Sequence, residues 1–281
     1  MQVTRSADRI VFFGHNLNDV ASWLAATPAE WRNEASRTMY GENSWDLGVG
    51  YQGALQLART GWSVGSSELC DKMKALPPPV NTHTKLKFDI AGHYPDVGRF
   101  VSGQPDHMLT KGKVHGKKPT VHIICNMTAS SSVSAQEYLN FGTALCAIVD
   151  KLEASGRRVQ LDVTFANALR IHRTVVGWNV KQPGDPLDLS AVAFSLAHPA
   201  AYRRLGFAMW ERTPIGDYSP GHGRCTPLTK KDAELIDGEN ALILNGDGGS
   251  LSSCRTPAGA VDFVSHQLNR VAGEILVEVQ Q

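Results

Sequence analysis

VHIICNMTASSSVSAQEYLNFG, residues 121–142, is the stretch that decides the fold. Its first five residues, 121–125, are mostly apolar and β-branched, which predicts a buried strand. Ser134, with Glu137 three residues later, has the spacing of a capping box and predicts the start of a helix. Apolar residues then recur every three or four positions until Gly156, so one face of this helix is expected to be buried. The stretch therefore predicts a strand, a loop and an amphipathic helix.

A second strand completes a β-α-β unit. Residues 159–165 carry an apolar side chain at every second position, which is the period of a strand. A connection through a helix is right-handed and makes the two strands parallel. Further strands are predicted at 173–181 and 241–244, with helices beginning near 188, 229 and 256. The fold class predicted for residues 119–281 is α/β, a three-layer, mostly parallel sheet flanked by helices.

The first 118 residues differ in composition from the remainder. They contain four tryptophans, many glycines and a run of three prolines at 77–79. A short helix is predicted at 51–60 because Gly61 can end it, and strands are predicted at 85–92 and 97–103 because apolar and polar residues alternate there. The region is expected to form an irregular α+β N-terminal extension, residues 1–118.

The composition restricts the classes of function. Twenty-eight basic and 27 acidic residues give a net charge of +1, so no overall field attracts nucleic acid or an anionic membrane. Five scattered cysteines form no CxxC pair, which indicates reduced thiols rather than a zinc site or a disulfide framework. The chain lacks a long apolar run and a signal-peptide core, so we expect no membrane partner and no secretion.

Polar side chains follow two of the predicted strands. Asn126, Thr128 and Ser130 occupy alternate positions after the first strand, and Asp247 follows the strand at 241–244. Ligands of open parallel sheets bind beyond the carboxyl ends of the strands, where these residues are expected. The alternative, which the residue types favour, is that the three side chains only complete the strand end and the start of the helix through hydrogen bonds.

The pattern Asn126-x-Thr128-x-Ser130 resembles the Asp-x-Ser-x-Ser motif of von Willebrand factor A domains. ALILNGDG, residues 241–248, is similar to the later strand of that family, which ends in an Asp-Gly pair. The resemblance covers about residues 119–279 and implies a Rossmann-like domain. In the family, an aspartate and two hydroxyls of the first loop, a threonine of a second loop and an aspartate of a third bind one Mg²⁺. An acidic residue of a partner completes the coordination.

For this chain, the resemblance implies a degenerate form of the family's metal site, in which the first ligand has changed. Its candidate partner- or metal-binding residues are Asn126, Thr128, Ser130, Asp188, Ser190 and Asp247. Asn126 offers a neutral carbonyl in place of the carboxylate, which lowers the expected affinity for Mg²⁺. Asp188 and Ser190 stand for the second loop, although neither matches the threonine motif.

The chain also resembles uncharacterised proteins of tailed bacteriophages that carry such a domain. The segments behind this resemblance are GHYPDVGRFVSGQPDHM and PLDLSAVAFSLAHPAAYRRLGFAMWE. It implies a protein of the host bacterial cytoplasm or of the virion. The expected function is a non-catalytic structural or interaction module whose A-like domain docks another protein or a second copy of the chain.

Enzymatic motifs are missing from the sequence. The serines at 130–132 are not in a G-x-S-x-G context, and no histidine pair has the H-E-x-x-H spacing of zinc proteases. NGDGGS lacks the Gly-Lys-Ser/Thr ending of a phosphate-binding loop. We therefore expect no enzyme.

Nucleic acid is the alternative partner. Lys111, Lys113, Lys117 and Lys118 lie within eight residues that contain no acid, and aromatic side chains of the N-terminal region could stack on bases. The competing interpretation, which the sequence favours, is a solvated basic linker with buried aromatics.

Overall fold

A computed structural model gives the architecture. It describes residues 1–6, 8–29, 45–74, 86–92, 94–111, 120–130, 132–154, 156–169, 172–213, 224–238, 240–245, 251–256, 259, 260, 262, 263 and 266. The fold is mixed α/β, with a mostly parallel central sheet and flanking helices. None of the helices in these ranges has the length and apolarity needed to span a membrane.

Seven strands form the central sheet, in the order β1-β2-β8-β7-β6-β10, with β9 paired to β7. The strands are β1 (Gln2–Arg5), β2 (Arg9–Gly14), β6 (Thr120–Asn126), β7 (Arg158–Leu169), β8 (His172–Lys181), β9 (Arg224–Cys225) and β10 (Leu242–Asn245). The pairs β2–β8, β6–β7 and β6–β10 are parallel. The pairs β1–β2, β7–β8 and β7–β9 are antiparallel.

The predicted β-α-β unit is confirmed. Strand β6 is connected to the parallel strand β7 by α5 (Ala135–Ala154), and Ser134 and Glu137 form the predicted capping contacts. After α5 the chain turns at Gly156, whose φ of +88° lies in the left-handed region that favours glycine. The local signals in this stretch therefore agree with the tertiary structure.

The third predicted strand, β8, is present, but it runs antiparallel to its neighbour β7. Strand β8 pairs antiparallel with β7, since only residues 170 and 171 separate them. A parallel neighbour would need a crossover connection of a dozen or more residues. The carboxyl end of β8 therefore lies at the edge where β6 and β7 begin.

The helices pack mainly on one face of the central sheet. That face carries α1 (Leu17–Ala26), α2 (Gly50–Thr60), α3 (Ser63–Lys74), α5 and a helical segment at 189–210, all in one apolar cluster. The opposite face is covered, among the described helices, by α8 (Lys230–Glu234), which packs on Val11, Ile124 and Val175 through a second cluster. Alternate residues of each strand thus serve different cores.

The helical segment at 189–210 is broken before Pro199. It consists of α6 (Leu189–Val192), π-helical turns at Ala193–Ala197 and Ala201–Gly206, and α7 (Phe207–Trp210). His198 between the π-helical turns is extended, as expected for a residue that precedes proline.

Parts of the region predicted as an N-terminal extension, residues 1–118, belong to the central sheet and its core. Strand β2 pairs with β8, and α1, α2 and α3 contribute buried residues to the main core. Residues 1–118 therefore contain integral parts of the central α/β structure. The β2–β8 contact joins segments about 160 residues apart in the chain, so no local pattern reveals it.

Residues 86–111 form a small unit of their own. Strands β3 (Leu86–Asp89), β5 (Met108–Lys111) and β4 (Tyr94–Pro95) make an antiparallel sheet in that order. The strand predicted at 97–103 is wrong, because Val97–Val101 is the short helix α4. The Asp96 carboxylate caps this helix by accepting from Arg99 N at 2.9 Å.

Candidate functional site

Asn126 ends β6 beside Asn245 at the end of β10, and its side chain is buried. Its Nδ2 donates to the carbonyl of Thr226 at 2.9 Å and to Oδ1 of Asn245 at 3.0 Å. Its Oδ1 accepts from Thr128 N, Thr128 Oγ1 and Ala166 N at 3.3, 2.8 and 3.2 Å. Both donors and the acceptor of the amide are therefore used inside the protein.

Thr128 and Ser130 are also engaged locally. The Thr128 hydroxyl donates to Asn126 and accepts from Ala166 N at 2.6 Å. Ser130 is exposed, and its Oγ accepts from the amide and the hydroxyl of Ser132 at 3.3 and 3.1 Å. The alternating polar residues close the ends of three strands and shape the loop before α5.

This donor set does not fit Mg²⁺. The buried oxygens of Asn126 and Thr128 point at protein donors, and both are neutral. Within the described residues, no group of three or more His, Cys, Asp or Glu side chains could hold a metal ion. Asp247, the predicted carboxylate ligand, lies outside the described residues.

Asp188 and Ser190 are not brought to this loop. They follow β8, and Lys181 at the end of β8 pairs with Leu161 near the start of β7. Asp188 caps α6 by accepting from Ser190 N and Ala191 N at 2.9 and 3.1 Å. The antiparallel direction of β8 therefore places these two candidates at the edge opposite Asn126.

Two buried arginines reach the Asn126 edge instead. Arg203, 1% exposed, donates to the carbonyls of Ser130, Val133 and Trp45 at 3.1, 2.7 and 2.7 Å. Arg204 follows it in the π-helical turn and is buried as well. The structure therefore places both arginine side chains inside the protein.

Arg204 is paired with Asp46, which sits in a tight turn. The Asp46 carboxylate also accepts from Gly48 N at 2.9 Å and Gly50 N at 3.1 Å. Leu47, between these donors and the aspartate, has a φ of +57°, which is strained for a branched side chain. The signal available in the sequence was the spacing Asp-x-Gly-x-Gly at 46–50.

A second polar cluster was missed by the sequence analysis. His122 Nε2 lies 2.5 Å from Oδ2 of Asp162, and Asn179 Nδ2 donates to Oδ1 of the same carboxylate at 2.7 Å. Asp162 is 1% exposed. Asp162 is directly opposite Asn179 on β8 and diagonal to His122 on β6, so the cluster joins three neighbouring strands on the face opposite the main core.

Only some of the residues predicted to contact nucleic acid lie in the described part of the chain. Lys113, Lys117 and Lys118 lie outside the described residues, and Lys111 is the last residue of β5. Three tryptophans of the N-terminal region pack against other rings. Trp23 contacts Phe12, Trp45 contacts Phe207 and Trp62 contacts His198, with centroid separations of 6.1, 5.9 and 4.6 Å.

The surface of the 86–111 unit is apolar around α4. Val97, Phe100 and Val101 are 67%, 63% and 78% exposed, and the nearby Tyr94 is 61% exposed. Residues spaced by three and four positions share one face of a helix, so the three α4 side chains form an outward stripe. Tyr94, Val97, Phe100 and Val101 are called the α4 patch below.

Arg99 fixes the orientation of the α4 patch. Its Nη2 lies 2.8 Å from the Asp106 carboxylate, and its Nε donates to the Asp106 carbonyl at 3.1 Å. Its guanidinium lies over the Phe88 ring, 4.1 Å from the centroid. Since Arg99 anchors one side of α4 to the small sheet, the apolar side chains are held toward solvent.

A family model described as "Domain of unknown function (DUF7192)" matches residues 8–251. The match includes every strand of the central sheet except β1, and the 86–111 unit as well. No curated protein and no solved structure matches the chain.

Proposed function

The chain belongs to the family described as a domain of unknown function, DUF7192, and we propose that it is a non-catalytic module that docks another protein through the α4 patch. The single observation that carries the proposal is the exposure of four large apolar side chains on one small unit. Clusters of exposed apolar residues rimmed by polar ones are characteristic of protein–protein interfaces. Asp96, Ser102 and Gln104 border this cluster in the chain.

The chemistry of the α4 patch favours a protein partner over nucleic acid. Two of its four side chains, Val97 and Val101, are aliphatic and cannot stack on bases. Arg99, the cation on the same helix, is paired with Asp106 and stacked on Phe88. A surface of this kind fits the apolar face of a partner helix or strand, which buries side chains without needing phosphate contacts.

The Asn126 edge has a structural role in this proposal. Asn126 and Thr128 are buried and hydrogen-bonded inside the protein. The sequence predicted a docking surface at this loop, whereas the present proposal assigns docking to the α4 patch. We also propose that residues 120–245 have a three-layer, von Willebrand A-like core. The support is that β6 and β10, the strands before Asn126 and before Asp247, are parallel neighbours.

The test uses Val101→Asp and Phe100→Ser, which place polar groups in the α4 patch. Helical and extended peptides are selected by display against the parent chain, and their dissociation constants are then measured with each variant. We expect at least a tenfold loss of affinity in both, because each change removes buried apolar contact. Val64→Asp is the matched control, since Val64 is 73% exposed on α3, outside the patch.

Three outcomes would overturn the proposal. Selected peptides that bind both patch variants as tightly as the parent would place the interface elsewhere. Binding of a fluorescent single-stranded oligonucleotide that is lost in Phe100→Ser would assign the patch to nucleic acid. A parent dimer in sedimentation velocity that Val101→Asp converts to monomer would make a second copy the occupant.

A further inference from the structure

A cavity of about 310 Å³ lies beyond the carboxyl ends of β2 and β8. It is bounded by the start of α1, the end of α2, the end of β8 and the start of α6. Because β2 and β8 are parallel neighbours, both strands end at this edge, which is where α/β sheets bind ligands. Its volume is at the lower end of the range for small-molecule sites.

The lining of the cavity carries one charge of each sign. Arg59 comes from the last turn of α2, and Asp188 caps α6. Among the described residues, the Arg59 side chain has no hydrogen-bond or ion-pair partner. Within the same described ranges, the Asp188 carboxylate accepts only from backbone amides. Both charged groups are therefore available to a ligand.

The helix ends that carry Arg59 and Asp188 are in close contact. Gly61 lies two residues after Arg59, and Ser190 lies two residues after Asp188. A Cβ atom added to Gly61 would come within 2.5 Å of the Ser190 Cβ, and Trp62 N donates to the Ser190 carbonyl at 3.0 Å. The end of α2 and the start of α6 thus touch, so a small ligand can reach both charges.

A buried hydroxyl adds a third polar group. Ser195 is 2% exposed, lines the cavity and accepts from Trp178 Nε1 at 3.0 Å. Within the described part of the chain, the Ser195 hydroxyl proton has no acceptor, so it can be donated to a ligand. Leu17, Ala58 and Ala191 provide apolar lining beside these groups.

We propose that this cavity binds a small zwitterion of the size of a free α-amino acid. Its carboxylate would face Arg59, its ammonium group would face Asp188, and its side chain would contact the apolar lining. A phosphate or dicarboxylate would meet Asp188, and a polyamine would meet Arg59, so neither matches both charges. This proposal is independent of the α4 patch.

Titration of the ¹⁵N-labelled protein with a panel of L-amino acids tests it, followed by isothermal titration calorimetry with the amino acid that binds best. The variants are Arg59→Gln, Asp188→Asn, which keeps an N-cap residue, and Ala191→Leu, which narrows the cavity without changing its charge. Asp185→Asn is the matched control, because Asp185 is an exposed acid of the same loop that does not line the cavity.

We expect saturable chemical-shift changes around the cavity, and at least a tenfold weaker affinity in each of the three cavity variants, but not in Asp185→Asn. The N-acetyl and amide derivatives of the same amino acid separate the two charges. The N-acetyl derivative lacks the ammonium group, so Asp188→Asn and the parent should bind it with equal affinity. The amide lacks the carboxylate, so Arg59→Gln and the parent should bind it with equal affinity. Absence of any shift at millimolar amino acid, or equal affinities in all variants, would overturn the proposal.

Discussion

Arg204 Nε lies 2.6 Å from Oδ2 of Asp46, and both side chains are 3% exposed. The pair joins the turn before α2 to the π-helical turn at 201–206, next to the loop that follows β6. It is therefore a tertiary contact between the N-terminal quarter of the chain and the centre of the fold. Replacing Asp46 removes the buried carboxylate that faces the Arg204 guanidinium, and breaking a buried ion pair by removing one partner is strongly destabilising.

We predict that Asp46→Ala lowers the free energy of unfolding by about 3–5 kcal/mol. Its loss also removes the acceptor for the Gly48 and Gly50 amides. Urea denaturation followed by circular dichroism measures the change. Asp106→Ala, which breaks the more exposed Arg99–Asp106 pair, should have a much smaller effect, and equal losses in the two variants would contradict this prediction.

Asn126→Asp separates the structural role of this residue from a metal-binding role. The variant restores the carboxylate of the von Willebrand A motif but removes two donated hydrogen bonds and buries a charge. We expect a loss of at least about 2 kcal/mol, with or without Mg²⁺. Thermal unfolding with Mg²⁺ and with EDTA tests it, and a melting temperature that rises only with Mg²⁺ would restore the metal hypothesis.

His198 should make stability depend on pH. Burial lowers the pKa of its imidazole to about 4, and Asp46 opposes this shift. The folded protein therefore binds the proton more weakly than the unfolded chain, whose histidine has a pKa of about 6.5. The free energy of unfolding should fall by about 3 kcal/mol as the pH drops from about 6.5 to about 4.

Urea denaturation across that pH range, with His198→Asn in parallel, checks this prediction. Asparagine keeps an acceptor for the Ala200 amide, which donates to His198 Nδ1 at 3.1 Å, but it does not titrate. The stability of the variant should decline less than that of the parent between these pH values. Parallel curves would show that other groups cause the pH dependence.

Gly61 should tolerate a side chain less well than Gly103, because of its backbone conformation, with a ψ of 173°, and because of the close approach of Ser190. Both have φ near +73°, at +74° and +73°, but a Cβ on Gly61 would meet Ser190, whereas a Cβ on Gly103 has nothing within 4 Å. We predict that Gly103→Ala costs about 1–2 kcal/mol and that Gly61→Ala costs at least about 1 kcal/mol more. Equilibrium denaturation of both variants measures the difference. Equal losses of unfolding free energy would mean that α6 shifts away from the added methyl group at no cost in stability.

Signals that act over a few residues were predicted from the sequence. The capping box at Ser134, the helix start near Thr229 and the helix end at Gly61 all depend on neighbours within one helical turn. In the 97–103 segment, the alternating pattern competed with the Asp96 cap, and the cap decided the conformation.

The features that were missed depend on contacts between distant parts of the chain. The reversed direction of β8 separated Asp188 from Asn126, and the β2–β8 pairing drew the N-terminal region into the central sheet. The partners of Arg203 and Arg204 come from segments about 70 and 158 residues away. No periodicity within one segment carries such information.

Because β8 runs antiparallel to β7, strands of the central sheet end at two opposite rims, one at Asn126 and one beyond β2 and β8. At one rim, Asn126 and its neighbours use their polar atoms on each other, so substitutions there are constrained by folding. At the other rim, the residues around Arg59 and Asp188 border open space. Substitutions at the second rim would change the proposed ligand site while the first rim continues to maintain the fold.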